Sequence, residues 1–197
     1  MSTLDDLLAT PVMAILRGYD PARTAELAHR AWDLGIRAVE VPIGEPDQVP
    51  SLVAAVQAGR ERDLPVGAGT VITPEQVAAA AAAGCAYTVA PGLDVAILAA
   101  SIAAGMPHLP GVSTPTEMQQ AVRAGCTWVK AFPASVLGPA WFRELRGPFP
   151  AVRTVATGGI NAHSAPQYLA AGASVVGVGS ALSDPAQVDL LAKLVTG

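Results

Sequence analysis

The sequence predicts an α/β chain folded as one compact (β/α)8 barrel domain over residues 1–197, with a short helix at its N-terminus. Three observations lead there. A helix-like segment that ends in Gly and gives way to a short apolar strand recurs five times, as DLGIRAVEVPIG, AAGCAYTVAPG, AAGMPHLPGVS, RAGCTWVKAFP and AAGASVVGVGS. Each Gly suits the left-handed position that stops a helix. With VMAILRG, PVGAGTV and RTVATGGI added there are eight candidate strands, starting near residues 12, 38, 65, 86, 107, 128, 153 and 174. The intervals of 21 to 27 residues each leave room for one helix. Strands that alternate with helices imply a parallel sheet, and eight of them close a barrel.

The elements follow in order. The opening MSTLDDLLATP reads as an exposed helix, with Asp5 and Asp6 where a secretory leader would carry Lys or Arg. VMAILRG is the first strand, and Arg17 ends it on the face of Met13 and Ile15. In AVEVPI the β-branched Val39, Val41 and Ile43 share one face, expected to meet the helices, and Ala38, Glu40 and Pro42 share the other, expected to point into the barrel. PVGAGTV follows, and Thr73 of TPEQ caps the next helix, whose alanine run packs on the barrel. AYTVAPG and PHLPGVS are the fourth and fifth strands, with Ser113 or Thr114 capping the helix after them. In WVKAFP, alternation groups Trp128, Lys130 and Phe132 against Val129 and Ala131, which sets Lys130 inside the barrel between two aromatic rings. RTVATGGI and VVGVGSAL complete the set, with Asn161 marking the helix start between them. An open doubly wound sheet would need a GxGxxG turn that ILRGYDPAR lacks, and the unequal repeats carry no solenoid signature.

Composition narrows the function classes. A net charge of -4 with scattered arginines argues against nucleic acid as the main partner. No apolar run reaches the roughly 18 residues of a membrane span, so a soluble, cytoplasmic protein is expected. Cys85 and Cys126 occupy separate AGC contexts and read as reduced buried thiols rather than as a disulfide or metal pair. His29 and His163 fall in helix-like segments and His108 opens a strand, so no metal or other cofactor is expected.

Of the two lysines, Lys193 lies in the helix-like LLAKLVTG, whereas Lys130 lies in a strand from which it cannot easily snorkel. One account of Lys130 is a structural ion pair with Glu40. The other is a nucleophile: loss of water disfavours an ammonium and frees an amine that can attack a carbonyl, while a neighbouring carboxylate moves protons. Arg17 would join both at the barrel mouth, where barrel enzymes place their chemistry. Gly158 and Gly159 after the seventh strand, with Gly179 and Ser180 after the eighth, would offer backbone N–H groups to a phosphate.

The ordered motifs AVEVP, GAGTV, APGL, PGVSTPTE, VKAFPA, GPFP, ATGGIN and GVGSAL resemble, from about Val12 to Leu182, the 2-keto-3-deoxy-6-phosphogluconate (KDPG) and 4-hydroxy-2-oxoglutarate (KHG) aldolase family. The resemblance implies a metal-free class I aldolase, commonly a homotrimer, acting on a phosphorylated 2-keto acid. Lys130 would form the Schiff base with the C2 ketone, and Glu40 would be the general acid and base. Arg17 would bind the carboxylate, with Thr70, Pro91 and Phe132 around the pyruvyl moiety. Gly158, Gly159, Gly179 and Ser180 would hold the phosphate, and Thr157 would complete the substrate site. Products would be pyruvate and glyceraldehyde 3-phosphate. Gly44 stands where some members carry an arginine, which leaves the carboxylate to Arg17. Thr157 of ATGG looks like the gluconate-type enzymes, whereas ILRG and VEVPIGEP look like the 6-phosphogalactonate aldolase. A non-covalent sugar-phosphate isomerase or epimerase, or a binding barrel without chemistry, are the readings from other classes.

Overall fold

The computed structural model describes residues 3–196, with the side chain of residue 196 left out. Helix α1 (Leu4–Leu7) leads into strand β1 (Val12–Ile15), α2 (Pro21–Asp33) and β2 (Ala38–Pro42). A 3-10 turn (Pro46–Gln48) runs into α3 (Val49–Arg60), followed by β3 (Val66–Gly69), α4 (Pro74–Ala83), β4 (Tyr87–Val89) and α5 (Val95–Ala103). Next come β5 (His108–Leu109), β6 (Gly111–Val112), α6 (Pro115–Arg123), β7 (Trp128–Ala131), α7 (Ala134–Leu145) and β8 (Arg153–Ala156). The chain closes with α8 (Ala165–Ala170), β9 (Val175–Val178), a 3-10 turn (Ser180–Leu182) and α9 (Pro185–Thr196).

All pairings are parallel, in the order β5-β4-β3-β2-β1-β9-β8-β7-β6. The end strands β5 and β6 are two halves of one strand, divided at Pro110, so the sheet closes through the chain itself. Proline has no N–H to give the ladder. The neighbouring carbonyls turn to opposite sides: Leu109 O accepts from Ala90 N–H at 3.0 Å, and Pro110 O accepts from Lys130 N–H at 2.8 Å. The eight expected strands are therefore present, the fifth in two pieces.

Local signals explain most boundaries. Gly35, Gly84, Gly105, Gly125 and Gly172, the glycines of the five repeats, all have φ between 83° and 107°. Thr73 and Thr114 each close a capping box, with Gln76 and Glu117. Asn161 does not start its helix. Its side chain accepts from the N–H groups of His163 and Ser164 in a preceding turn, and α8 begins at Ala165.

Alternation sorts the core as expected. Val39, Val41 and Ile43 pack outward against the helices. Met13, Ala38, Tyr87, Trp128, Val155 and Val175 fill the interior. In α4 only Val77 and Ala80 are fully buried, so much of the alanine run faces outward. Helix α1 differs more from expectation: Leu7 and Leu8 are buried in the interior cluster. Asp5 accepts from Trp128 Nε1 and pairs with Arg153, both at 2.6 Å. Because Trp128 and Arg153 open β7 and β8, α1 stoppers the N-terminal end of the barrel, and only its polar face is exposed. Cys85 is buried and Cys126 half-buried; both are free, and burial pushes the Cys85 thiol up to about 12.

Candidate active site

At the opposite end, the C-terminal ends of the strands surround a cleft of about 290 Å³. Lys130 reaches it from the inward face of β7. Its Nζ lies 3.6 Å from Glu40 Oε1 and 5.5 Å from the centre of the Phe132 ring. The lysine side chain is 5% exposed and the glutamate side chain 0%. At 3.6 Å the pair is an ion pair rather than a tight hydrogen bond, and neither Glu40 oxygen has a hydrogen-bond partner among the described residues. A buried carboxylate facing one cation, without further donors, is an unfavourable way to stabilise a fold.

The backbone around Glu40 makes its position possible. β3 reads VGAG, with Val66 and Ala68 turned to the helices and Gly67 and Gly69 to the interior. A Cβ at Gly67 would lie 2.2 Å from the Tyr87 ring, and one at Gly69 would lie 2.0 Å from Glu40 Oε1. The glycine pair thus clears a slot that Tyr87 fills from β4 and Glu40 from β2. The Tyr87 hydroxyl donates to Val39 O at 2.8 Å, tying down the residue before Glu40. Burial, and then the Glu40 charge, push that hydroxyl well above its usual pKa, so it stays a donor.

Arg17, just beyond β1, donates to Thr70 Oγ1 at 3.2 Å. Thr70 has φ 59°, a left-handed conformation that is strained for a β-branched residue. Gly44 lies beside it, where a Cβ would come 3.1 Å from Thr70 Cγ2. A side chain at position 44 would therefore press on the residue that holds Arg17.

Eight expected site residues line the cleft together: Arg17, Lys130, Phe132, Thr157, Gly158, Gly159, Gly179 and Ser180. Glu40 stands behind Lys130, and Thr70 reaches the cleft through Arg17. Pro91 is apart: it lines a neighbouring depression with Val71 and Leu93, and its carbonyl packs against Gly111. Gly158 and Gly159, with φ 95° and 74°, fold the β8 loop over Phe132 and Ser135. Gly179 leads into the 3-10 turn that begins at Ser180. Thr157 is 1% exposed, and its hydroxyl has no partner among the described residues although it borders the cleft. Ile15, Tyr19, Ile160 and Gly177 also line the cleft and were not expected. Tyr19 follows Arg17 and Gly18 directly, so its proximity to the strand end was the signal to use. Among the described residues no three His, Cys, Asp or Glu side chains converge as a metal site, and no helix is long and apolar enough to cross a membrane.

The arrangement offers an amine against a buried carboxylate, an arginine at one side and a glycine-lined hollow at the other. A sequence model of the KDPG and KHG aldolase family matches residues 4–193. The 2-dehydro-3-deoxy-6-phosphogalactonate aldolase of Escherichia coli (strain K12) is 36% identical over 173 residues, 87% of this chain and 84% of that protein. The 2-dehydro-3-deoxy-phosphogluconate aldolase of Treponema pallidum (strain Nichols) is 37% identical over 172 residues, 85% and 78% of the two chains. A crystal structure of the KDPG aldolase from Legionella pneumophila, with pyruvate captured as a covalent carbinolamine intermediate, superposes with a TM-score of 0.84 at 28% identity, covering 98% of this chain and 96% of that one.

Proposed function

The chain belongs to the KDPG and KHG aldolase family, and we propose that it is a class I aldolase cleaving 2-dehydro-3-deoxy-6-phosphogluconate to pyruvate and glyceraldehyde 3-phosphate. The observation that carries the reading is the approach of Lys130 Nζ to Glu40 within 3.6 Å, with both side chains buried and a cleft beside the lysine.

In this mechanism Lys130 gives its proton to Glu40, and the amine so formed attacks the substrate's C2 ketone. Glu40 carries protons as the carbinolamine forms and loses water to give an iminium. The iminium withdraws the C3–C4 bonding electrons while the C4 hydroxyl gives up its proton to Glu40, directly or through water, and the aldehyde leaves. The remaining enamine takes a proton at C3, and hydrolysis frees pyruvate and the amine. Arg17 holds the substrate carboxylate, with Thr70 fixing the guanidinium and Phe132 walling the pyruvyl group. Pro91 borders that side from the next loop. Gly158, Gly159, Gly179 and Ser180 receive the phosphate by backbone N–H groups, and Thr157 offers its unpartnered hydroxyl to the part of the substrate between. Thr157 is also what favours the gluconate over the galactonate epimer, since the relatives of both kinds are about equally similar. Rates on the two epimers decide that choice. The enzyme is read as a cytoplasmic homotrimer; Ile72 and Val95, 52% and 58% exposed beside the Pro91 depression, offer apolar surface for it, and light scattering measures the assembly.

The first test is borohydride reduction in the presence of pyruvate, followed by peptide mapping. A reduced pyruvyl adduct on Lys130 is expected, and Lys130→Met should abolish both adduct and cleavage in a folded protein. An unmodified Lys130 in active enzyme would instead point to the non-covalent sugar-phosphate reading.

A further inference from the structure

Tyr19 has no part in the mechanism above, yet its position is built with care. Gly18, at φ 76°, turns the chain after Arg17. The Tyr19 carbonyl then accepts from the buried Ser51 hydroxyl at 2.8 Å, and the buried Thr24 hydroxyl, which donates to Asp20 O at 2.8 Å, lies 3.3 Å from it. These contacts from α3 and α2 pin the backbone and leave the ring lining the cleft with Gly159, Gly179 and Ser180.

Proton accounting gives the direction of its hydrogen bond. Ser183 Oγ donates its one proton to Ser180 O at 2.8 Å, so it can only accept from the Tyr19 hydroxyl, 3.2 Å away. That bond is long for O–H···O, where about 2.7–2.8 Å is usual. A phosphoryl oxygen is charged and a stronger acceptor than a serine hydroxyl. Of the polar side chains lining the cleft, Arg17 and Lys130 serve the keto-acid half and Thr157 the middle. Tyr19 and Ser180 are thus the side-chain donors left for the far end.

We infer that Tyr19 is a specificity-determining residue that turns its hydroxyl from Ser183 to the phosphoryl group of the substrate. The inference rests on the aldolase reading and on a phosphate held by the β8 and β9 loops. The test compares wild type, Tyr19→Phe and Ser183→Ala in two assays. One is cleavage of both C4 epimers of the 6-phosphorylated 2-keto-3-deoxy acid. The other is solvent deuterium exchange at C3 of pyruvate, which needs the lysine and carboxylate but no phosphate.

In Tyr19→Phe the ratio of cleavage kcat/KM to exchange rate should fall roughly ten-fold, mainly through KM, as expected for a lost hydrogen bond to a charged group. Ser183→Ala should keep that ratio within about two-fold, because the tyrosine donor stays available to the phosphate. The inference is overturned if exchange falls in step with cleavage, if the Tyr19→Phe ratio does not move, or if Ser183→Ala reproduces the loss. Wild type that exchanges pyruvate but cleaves neither phosphorylated epimer would also overturn it, together with the phosphate assignment. Wild type that does neither would remove the aldolase reading itself, a distinct result.

Discussion

Glu40 occupies space that exists because residue 69 has no side chain. A Cβ there would sit 2.0 Å from Oε1 and 2.7 Å from the carboxyl carbon, closer than either atom tolerates, so Gly69→Ala must displace the carboxylate. General acid–base groups contribute roughly 10²–10⁴-fold, so a loss of at least about 100-fold in kcat is expected, while borohydride still traps pyruvate on Lys130 given time. Shortening the displaced side chain should relieve part of the conflict. The losses of Gly69→Ala and Glu40→Asp should therefore fall short of additive in the double variant, and additive losses would mean that Gly69 acts elsewhere. Lys130 and Glu40 themselves were legible in the sequence, since a charged side chain alternating with apolar ones in a strand declares its face. Gly69 was legible only as part of a motif. Its effect depends on a side chain from the neighbouring strand, and strand register is not written in either segment alone. Tyr19 was legible by its place beside the strand end, but the partner of its hydroxyl was not, since Ser183 lies 164 positions along the chain.

Among the elements, the βα repeats were the most legible, because a left-handed glycine, a capping Thr and an apolar strand each act within a few residues. Pro110 shows how a local rule changes a strand without changing the fold: it cuts the fifth strand in two, yet the carbonyls on either side still bind both neighbours. Helix α1 was read less well. At four residues it is a single turn, too short to display an amphipathic period. Its acidic residues marked it as exposed, whereas Asp5 in fact binds Trp128 and Arg153 and directs Leu7 and Leu8 into the barrel. This stopper lies at the end away from the cleft, where barrels conserve stability rather than chemistry. Leu7→Ala, which empties a site that is 3% exposed, should cost roughly 2–5 kcal/mol of unfolding free energy. KM for the substrate should hardly change. Denaturant titration and steady-state kinetics check the two halves; a changed KM with undiminished stability would contradict the division between the barrel's ends.

For the whole molecule, the same separation of roles extends to pH. Besides Lys130 and Glu40, the barrel buries His108, which is 4% exposed on the helix-facing side of β5. Its tautomer follows from its neighbours. Ser101 Oγ donates to Met106 O at 2.9 Å, so it accepts from Thr88 Oγ1 at 2.6 Å, and Thr88 in turn accepts from His108 Nδ1–H at 2.7 Å. Nε2 is then the unprotonated nitrogen, buried and without a partner among the described residues. Protonation would create a charge and an unmatched donor together; burial lowers the pKa from 6.5 to about 4, although Asp94 pulls the other way. Above pH 6.5 the ring is neutral in folded and unfolded chains alike, and stability does not depend on it. Between 6.5 and 4 the unfolded chain takes up a proton that the folded one refuses, so stability falls as pH falls, by roughly 2–3 kcal/mol at pH 4.5 relative to pH 7. His108→Asn keeps a donor near the Nδ1 position and removes the titration. Urea unfolding at the two pH values should therefore show the wild type losing roughly 2–3 kcal/mol more than the variant, with the carboxylates common to both cancelling in the difference. Equal losses would mean that His108 is protonated in the folded barrel, and that Nε2–H finds an acceptor once charged.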